Sequence, residues 1–453
     1  MSECLPSRKL YRRLLWLAIP VMCQNILTYS VTLADNLMVG RLGEAAINGL
    51  FMAVIVQFVL AMIIFGIESA MTVLTSQYWG RHDVERIKDI VAMGLRSALV
   101  VSVVMALATA VFPDSFMRLL TSSPEARAEG VRYLRVVAWS YPLFAASLLL
   151  VGAMRSVEVV RIGLITSIVA VCVNISLNWV LIFGHFGAPA LGVEGAAWAT
   201  IASRAAELGV TLLFILRFDG NLRMRPRDFF RSNGTLARDL VRYGTPLMLG
   251  QIVWSINKFV MRILVGHFEP SSSAAVSISE TLDGLMWVGT VGLCSAVAVI
   301  TGTLVGSGAP SAEIKSWARR VQILFAAIGI LSFGVVLVFG DAFVALYRLE
   351  PATIEAAKVF LVVLAFSVLG RTYQAPCLIG LVKAGGDTNF MFRNDTFWVF
   401  CWVLPTALLA RYAFHAPDWV VYACLLSDQV TKCFVAFVKI NRFRWAKNLT
   451  RTA

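Results

Sequence analysis

Runs of about 20 apolar residues recur along the whole chain, the length a helix needs to cross a hydrocarbon core of about 30 Å. Twelve are found, at about 14–37, 48–78, 91–112, 131–153, 160–183, 193–216, 240–266, 276–304, 321–339, 356–383, 391–410 and 418–438. With 58% of residues hydrophobic and 15% charged, the chain is too apolar for a soluble protein, in which about one residue in four is charged. The reading is an all-α membrane protein of twelve transmembrane helices, surrounded by the lipid bilayer.

A net charge of +13 would suggest nucleic acid in a soluble protein, but its placement excludes that partner. The N-terminus, every second loop and the C-terminus hold 26 of the 40 lysines and arginines, and the alternate loops hold only eight. The positive-inside rule then puts both termini in the cytoplasm of a cell membrane of bacterial inner-membrane type. The even number of spans independently puts the two termini on one side. The first apolar run is longer than the core of a signal peptide and no small-residue cleavage site follows it, so it is expected to remain as a span. The eight cysteines lie within spans apart from Cys4 and form no CxxC pair, and His82, His185, His267 and His415 are scattered through loops. Neither a zinc site nor a disulfide framework is indicated.

The chain repeats itself at an offset of 226 residues. In that register Pro20 meets Pro246, Gly40 meets Gly266, Gly66 meets Gly292 and Gly80 meets Gly306. Chance alignment of apolar residues does not explain a proline and three glycines in one register. The expected organisation is a six-helix lobe over 1–216, a basic linker over 217–242 and a second six-helix lobe with a basic tail over 243–453. Six spans per half give both halves the same orientation, an arrangement expected of transporters that work by alternating access.

Polar residues inside apolar spans are costly and mark ion or substrate paths by default. Asp35 ends an otherwise uncharged first span, where it is either a wet helix end or part of such a path. Pro20 removes a helix hydrogen bond in the same span and predicts a kink. Glu68 lies near the middle of span two and reads first as a carboxylate hydrogen-bonded between helices. Asn174 and Asn178, four apart on one face of span five, are either interhelical hydrogen-bond partners or oxygen donors to a cation. Thr200 supplies a hydroxyl in span six. In the second half, Lys258 and Arg262 on span seven are expected to pair with Glu280 and Asp283 on span eight, leaving substrate contact as the other reading. Asp395, Asp428 and Lys432 read as buried pairs, and the segment from Arg118 to Arg135 as a solvated loop.

The stretches ADNLMVGRLGEAA, SQYWGRHD, NISLNWVLIFG, LGVEGAAWAT, YGTPLM, MRILVGHF and KAGGDT together resemble the multidrug and toxic-compound extrusion (MATE) family, and the likeness covers nearly the whole chain. The resemblance implies a V-shaped pair of six-helix lobes that expels organic, often cationic and aromatic, compounds in exchange for H⁺ or Na⁺. By this likeness the coupling residues are Asp35, Asn174, Asn178 and Thr200, which would be the metal ligands if sodium couples transport, and Pro20 is the conformational proline. The family sometimes carries a second acid at the position of Asn178, so either ion remains open here. One branch of the family binds cations with acids on spans seven and ten. Span seven here has no acid and span ten carries Arg371, so that second-lobe site is not expected.

A lipid or lipid-linked oligosaccharide flippase of the same wider superfamily is the alternative, disfavoured by the span count. An enzyme has no His, Cys or paired-carboxylate constellation to support it, and no Walker sequence is present. No cofactor is expected beyond the coupling ion, the partners are small-molecule substrates, and the chain is expected to be monomeric.

Overall fold

The computed structural model describes residues 7–345, 347 and 350–451; Cys4 and Arg348 lie outside the described residues. Among the described residues twelve helices are long and apolar enough to cross a membrane. They are α1 Leu10–Gly40, α2 Glu44–Gly80, α3 Val84–Val111, α4 Pro124–Ser156, α5 Arg161–Phe183, α6 Val193–Arg217, α7 Gly234–Gly266, α8 Pro270–Gly306, α9 Ser311–Val344, α10 Thr353–Lys383, α11 Thr388–Ala413 and α12 Asp418–Asn441. Each coincides with one apolar run of the sequence. The repeat is equally regular: α2 and α8 are both 37 residues long, and both their starts and their ends lie 226 residues apart.

The helix ends follow local chemistry. Asp83 caps α3 by accepting from the Arg86 N–H at 3.2 Å, and Ser123 caps α4 by accepting from Ala126 N–H at 3.3 Å, each satisfying a donor the first turn leaves open. Gly184 ends α5 in the left-handed region, with φ 74°, a conformation glycine adopts without strain. The segment from Arg118 to Arg135, expected as a loop, is largely helical: a short helix over Pro113–Leu120 precedes α4. Its arginines Arg118, Arg132 and Arg135 are exposed as expected, but Tyr133 and Leu134 turn inward. Proline shapes the second half. Pro376 has no N–H to donate, and α10 runs on from it as a π-helical segment over Pro376–Lys383.

The chain divides into two compact units, one of Ile19–Gly244 and one joining the residues up to Ala18 with those from Thr245 onward. In the first, α5 packs along α6, and α4 packs against α2 and α3. Gly195 sets the α5–α6 approach, since a Cβ there would lie 2.6 Å from the carbonyl carbon and oxygen of Leu181. Backbone cannot yield as a side chain can, so Gly195→Ala is expected to lower the folded yield sharply. Gly209→Ala, with nothing within 4 Å on the same helix, should be neutral; equal yields of the two variants in detergent extracts would show that the helices do not depend on this contact.

In the second unit, α10 lies against α8, α9 and α12, around a core that includes Phe268, Phe360, Leu364, Val403 and Tyr422. The tail after α12 folds back on this bundle. Trp445 is fully buried, which contributes on the order of 4 kcal/mol by apolar burial, and Lys447 N–H donates to Gly385 O at 2.7 Å. Asp387, in the turn between α10 and α11, takes Lys439 at 2.7 Å and Lys447 at 2.8 Å. Burial alone would raise its pKa, but the two lysines outweigh burial and hold the carboxyl below its usual range. A depressed carboxylate stabilises the fold fully above its unfolded pKa, and this is lost as pH falls through the folded value. Asp387→Asn is therefore expected to lower the melting temperature at neutral pH, with the gap to wild type closing below about pH 4; a gap independent of pH would remove the carboxylate from the account.

Candidate functional site

The polar residues of the first unit converge. Asp35, one turn before the end of α1, accepts a hydrogen bond from Asn178 Nδ2 at 2.5 Å, and the same amide donates to Asn174 Oδ1 at 3.0 Å. Both asparagines are almost completely buried, because α5 presents positions 174 and 178 on the face turned to its own bundle. Asn178 Oδ1 and Asn174 Nδ2 have no partner among the described residues, and an unmet buried acceptor or donor costs about 1–3 kcal/mol. The cluster therefore has unused capacity on both amides. Asp35 and Asn178 Oδ1 are hard oxygen donors of the kind that suits Na⁺, and a protonated Asp35 would offer a donor to the same amide oxygen.

Thr200 joins this cluster indirectly. Its hydroxyl donates to Ala196 O, one turn back on α6, at 2.9 Å, and the buried Tyr133 of α4 lies beside it and in the field of Asp35. Four helices thus meet here. Arg204, one turn beyond Thr200, interacts electrostatically with Asp35, bonds Glu207 at 2.7 Å and stands 5.1 Å from the Phe144 ring centroid. Tyr133, Arg204 and Glu207 escaped the sequence reading. Tyr133 sits among charged residues at the edge of the fourth apolar run, and only the four-residue step from Thr200 to Arg204 points to the arginine.

Other expected residues fall elsewhere. α1 continues as a helix through Pro20. Glu68 is hydrogen-bonded within its own helix, accepting from Thr72 Oγ1 at 3.0 Å, and meets the neighbouring α4 at Gly152, whose missing side chain leaves it room. The bond expected between helices is a packing contact instead.

In the second unit the expected pairing of Lys258 and Arg262 with Glu280 and Asp283 is corrected. Asp283 pairs with Arg371, at 2.7 Å from Nη1 to Oδ2 and 2.5 Å from Nη2 to Oδ1. The guanidinium also lies 5.0 Å from the Trp287 ring centroid. A planar guanidinium engages carboxylate and indole together, as an ammonium does not, so α10 rather than α7 supplies the counter-charge. Lys258 instead stands 6.0 Å from the Trp254 ring centroid and 4.0 Å from Met261 Sδ. Glu280 and Arg262 are exposed. The pairing of Lys432 is as expected, with Asp428 at 3.0 Å and Asp395 at 3.2 Å, extended by Gln429 and Gln374.

Known proteins match this chain along most of its length. The MatE family model matches residues 20–180 and 246–401. A probable multidrug resistance protein NorM of Bradyrhizobium diazoefficiens is 26% identical over 403 residues, covering 88% of this chain and 86% of that protein. The multidrug resistance protein MdtK of Cronobacter sakazakii is 27% identical over 419 residues, 90% and 89% of the two chains. A solved structure of a mutant of the Vibrio cholerae MATE transporter VcmN superposes with a TM-score of 0.87 at 17% identity over 98% of each chain, a likeness that shows the fold.

Proposed function

Because this chain belongs to the MatE family, we propose that it is a secondary active multidrug efflux antiporter, exchanging organic cations for H⁺ or Na⁺ by alternating access. The observation that carries the reading is Asp35 held by Asn178, with the Asn178 amide oxygen unused beside it. The residues assigned to coupling are Asp35, Asn174, Asn178 and Thr200, with Pro20 as the site where α1 changes shape. A proton or Na⁺ arriving at Asp35 neutralises the carboxylate and removes its attraction for a cationic substrate. A substrate binding in the ionised state opposes the ion in turn. Such competition couples the two only if each ligand prefers a different state of the protein, since a ligand shifts an equilibrium by its differential affinity alone.

The protein is assigned to a bacterial-type cell membrane with both termini cytoplasmic, as a monomer of two six-helix halves joined at 217–242. Arg204 and Arg371 each have a carboxylate partner, so neither adds the free positive charge that a lipid-phosphate path would use, and the flippase alternative gains nothing from them. Dye efflux from proteoliposomes, with the proton and sodium gradients imposed separately, tests the reading. One of the two gradients should accelerate efflux of a cationic dye; indifference to both would refute antiport.

A further inference from the structure

Each half of the chain ends in a short non-helical strap that turns apolar side chains toward the protein and arginines outward. After α6, Leu222 and Met224 are buried while Arg223 and Arg225 between and beyond them are exposed. The strap is pinned where it leaves the helix: Asp219 accepts from the N–H groups of Asn221, Leu222 and Arg223 at 3.0, 2.9 and 3.2 Å. Asn221 Nδ2 reaches back to Val157 O, in the turn between α4 and α5, at 3.1 Å. After α12 the pattern recurs, with Trp445 buried, Arg442 and Arg444 exposed, and the backbone bonded to Gly385 in the turn between α10 and α11. Two segments of unrelated sequence thus keep the same device, apolar side chains in and guanidinium groups out.

The first strap also exposes two large rings. Phe218, at the C-terminal cap of α6, is 71% exposed, and Phe230 is 81% exposed. Phe218 follows the last residue of a span directly, where hydrocarbon gives way to headgroups. The Pro226–Phe230 turn is held beside the charged first turns of α3, with Arg231 on Asp89 at 2.7 Å and on Glu85 at 2.6 Å. Arg217 adjoins Phe218 in the chain and Arg225 and Arg227 precede Phe230, and the guanidinium groups of all three form no ion pair among the described residues. Guanidinium groups without an ion pair, close in sequence to exposed aromatic rings in the segment that leaves a span, match a surface that is anionic above and apolar below. We infer that this strap is a docking surface for anionic phospholipids of the adjoining leaflet, the rings entering the acyl boundary and the arginines binding phosphate, and that the tail strap at Arg442 and Arg444 is its counterpart in the second half.

Native mass spectrometry of the full-length protein, titrated in detergent with phosphatidylglycerol or phosphatidylcholine, tests the inference. Wild type retains phosphatidylglycerol in preference. Each arginine removed should lower that preference about fivefold at low salt, so the combined Arg217→Gln, Arg223→Gln, Arg225→Gln and Arg227→Gln variant loses it. Phe218→Ser with Phe230→Ser should weaken retention of both lipids. Should the combined variant fold poorly, as judged by its melting temperature, Arg442→Gln with Arg444→Gln makes the same measurement on the other strap. Unchanged phosphatidylglycerol retention in the folded variants overturns the proposal. Displacement of the lipid by millimolar inorganic phosphate also overturns it, in favour of a site for the free anion.

Discussion

Asp35→Asn should leave a protein that inserts and folds, but that binds a cationic dye more weakly and whose efflux no longer responds to an imposed ion gradient. The substitution keeps the size of the side chain and its acceptor toward Asn178 while fixing the neutral state, so the protein loses the charge through which ion and substrate oppose each other. Coupling between two ligands is typically 5–150-fold in affinity, about 1–3 kcal/mol, and the whole of it is expected to disappear. Asn178→Ala and Asn174→Ala should weaken ion dependence more gradually. Each removes one amide and leaves the carboxylate, and Asn178→Ala has the larger effect because it is the direct partner of Asp35. Dye efflux from reconstituted vesicles reads all three. Wild-type gradient dependence in Asp35→Asn would move coupling to Glu68 or to the charges of the second unit.

The second large effect concerns stability. Arg371→Met strands Asp283 beside Trp287; breaking a fully buried pair from one side costs about 3–5 kcal/mol, whereas removing both partners is often nearly neutral, and this partly buried pair should lose somewhat less. Arg371→Met should therefore reduce the melting temperature and folded yield, and Asp283→Asn in that background should recover most of the loss. Lys258→Met and Glu280→Gln, with no contact between them, should instead act additively. Fluorescence-detected chromatography of the single and double variants after a temperature series gives the comparison. Additive losses at Asp283 and Arg371 would show that the observed ion pair contributes nothing net.

The helices and their repeat were legible because they rest on local rules: a bilayer fixes span length, and a chain that repeats at 226 residues must repeat its glycine and proline constraints. Asn174 and Asn178 could be placed on one face by spacing alone, and the pair Asp428 and Lys432 likewise. What could not be read was partner choice across helices. Lys258 and Asp283 looked like partners because α7 and α8 are neighbours in sequence, but the rotation of α8 turns Asp283 toward α10, and nothing in the local pattern encodes that rotation. Tyr133 escapes for a related reason: four charged residues, Arg127, Glu129, Arg132 and Arg135, surround it and mask the narrow helical face that buries it. Thr200 falls on the helix expected for it, beside a tyrosine that the sequence does not single out.

Strict exchange of ion for substrate at Asp35 is tested most directly in the reverse direction. Vesicles holding wild-type protein, with no ion gradient, are given a gradient of cationic dye alone, and internal pH and ²²Na⁺ are followed together. Dye movement should drive one of the two ions the opposite way, and the Asp35→Asn protein should move no ion. Dye flux with no accompanying movement of either ion would contradict antiport and make the protein a uniporter.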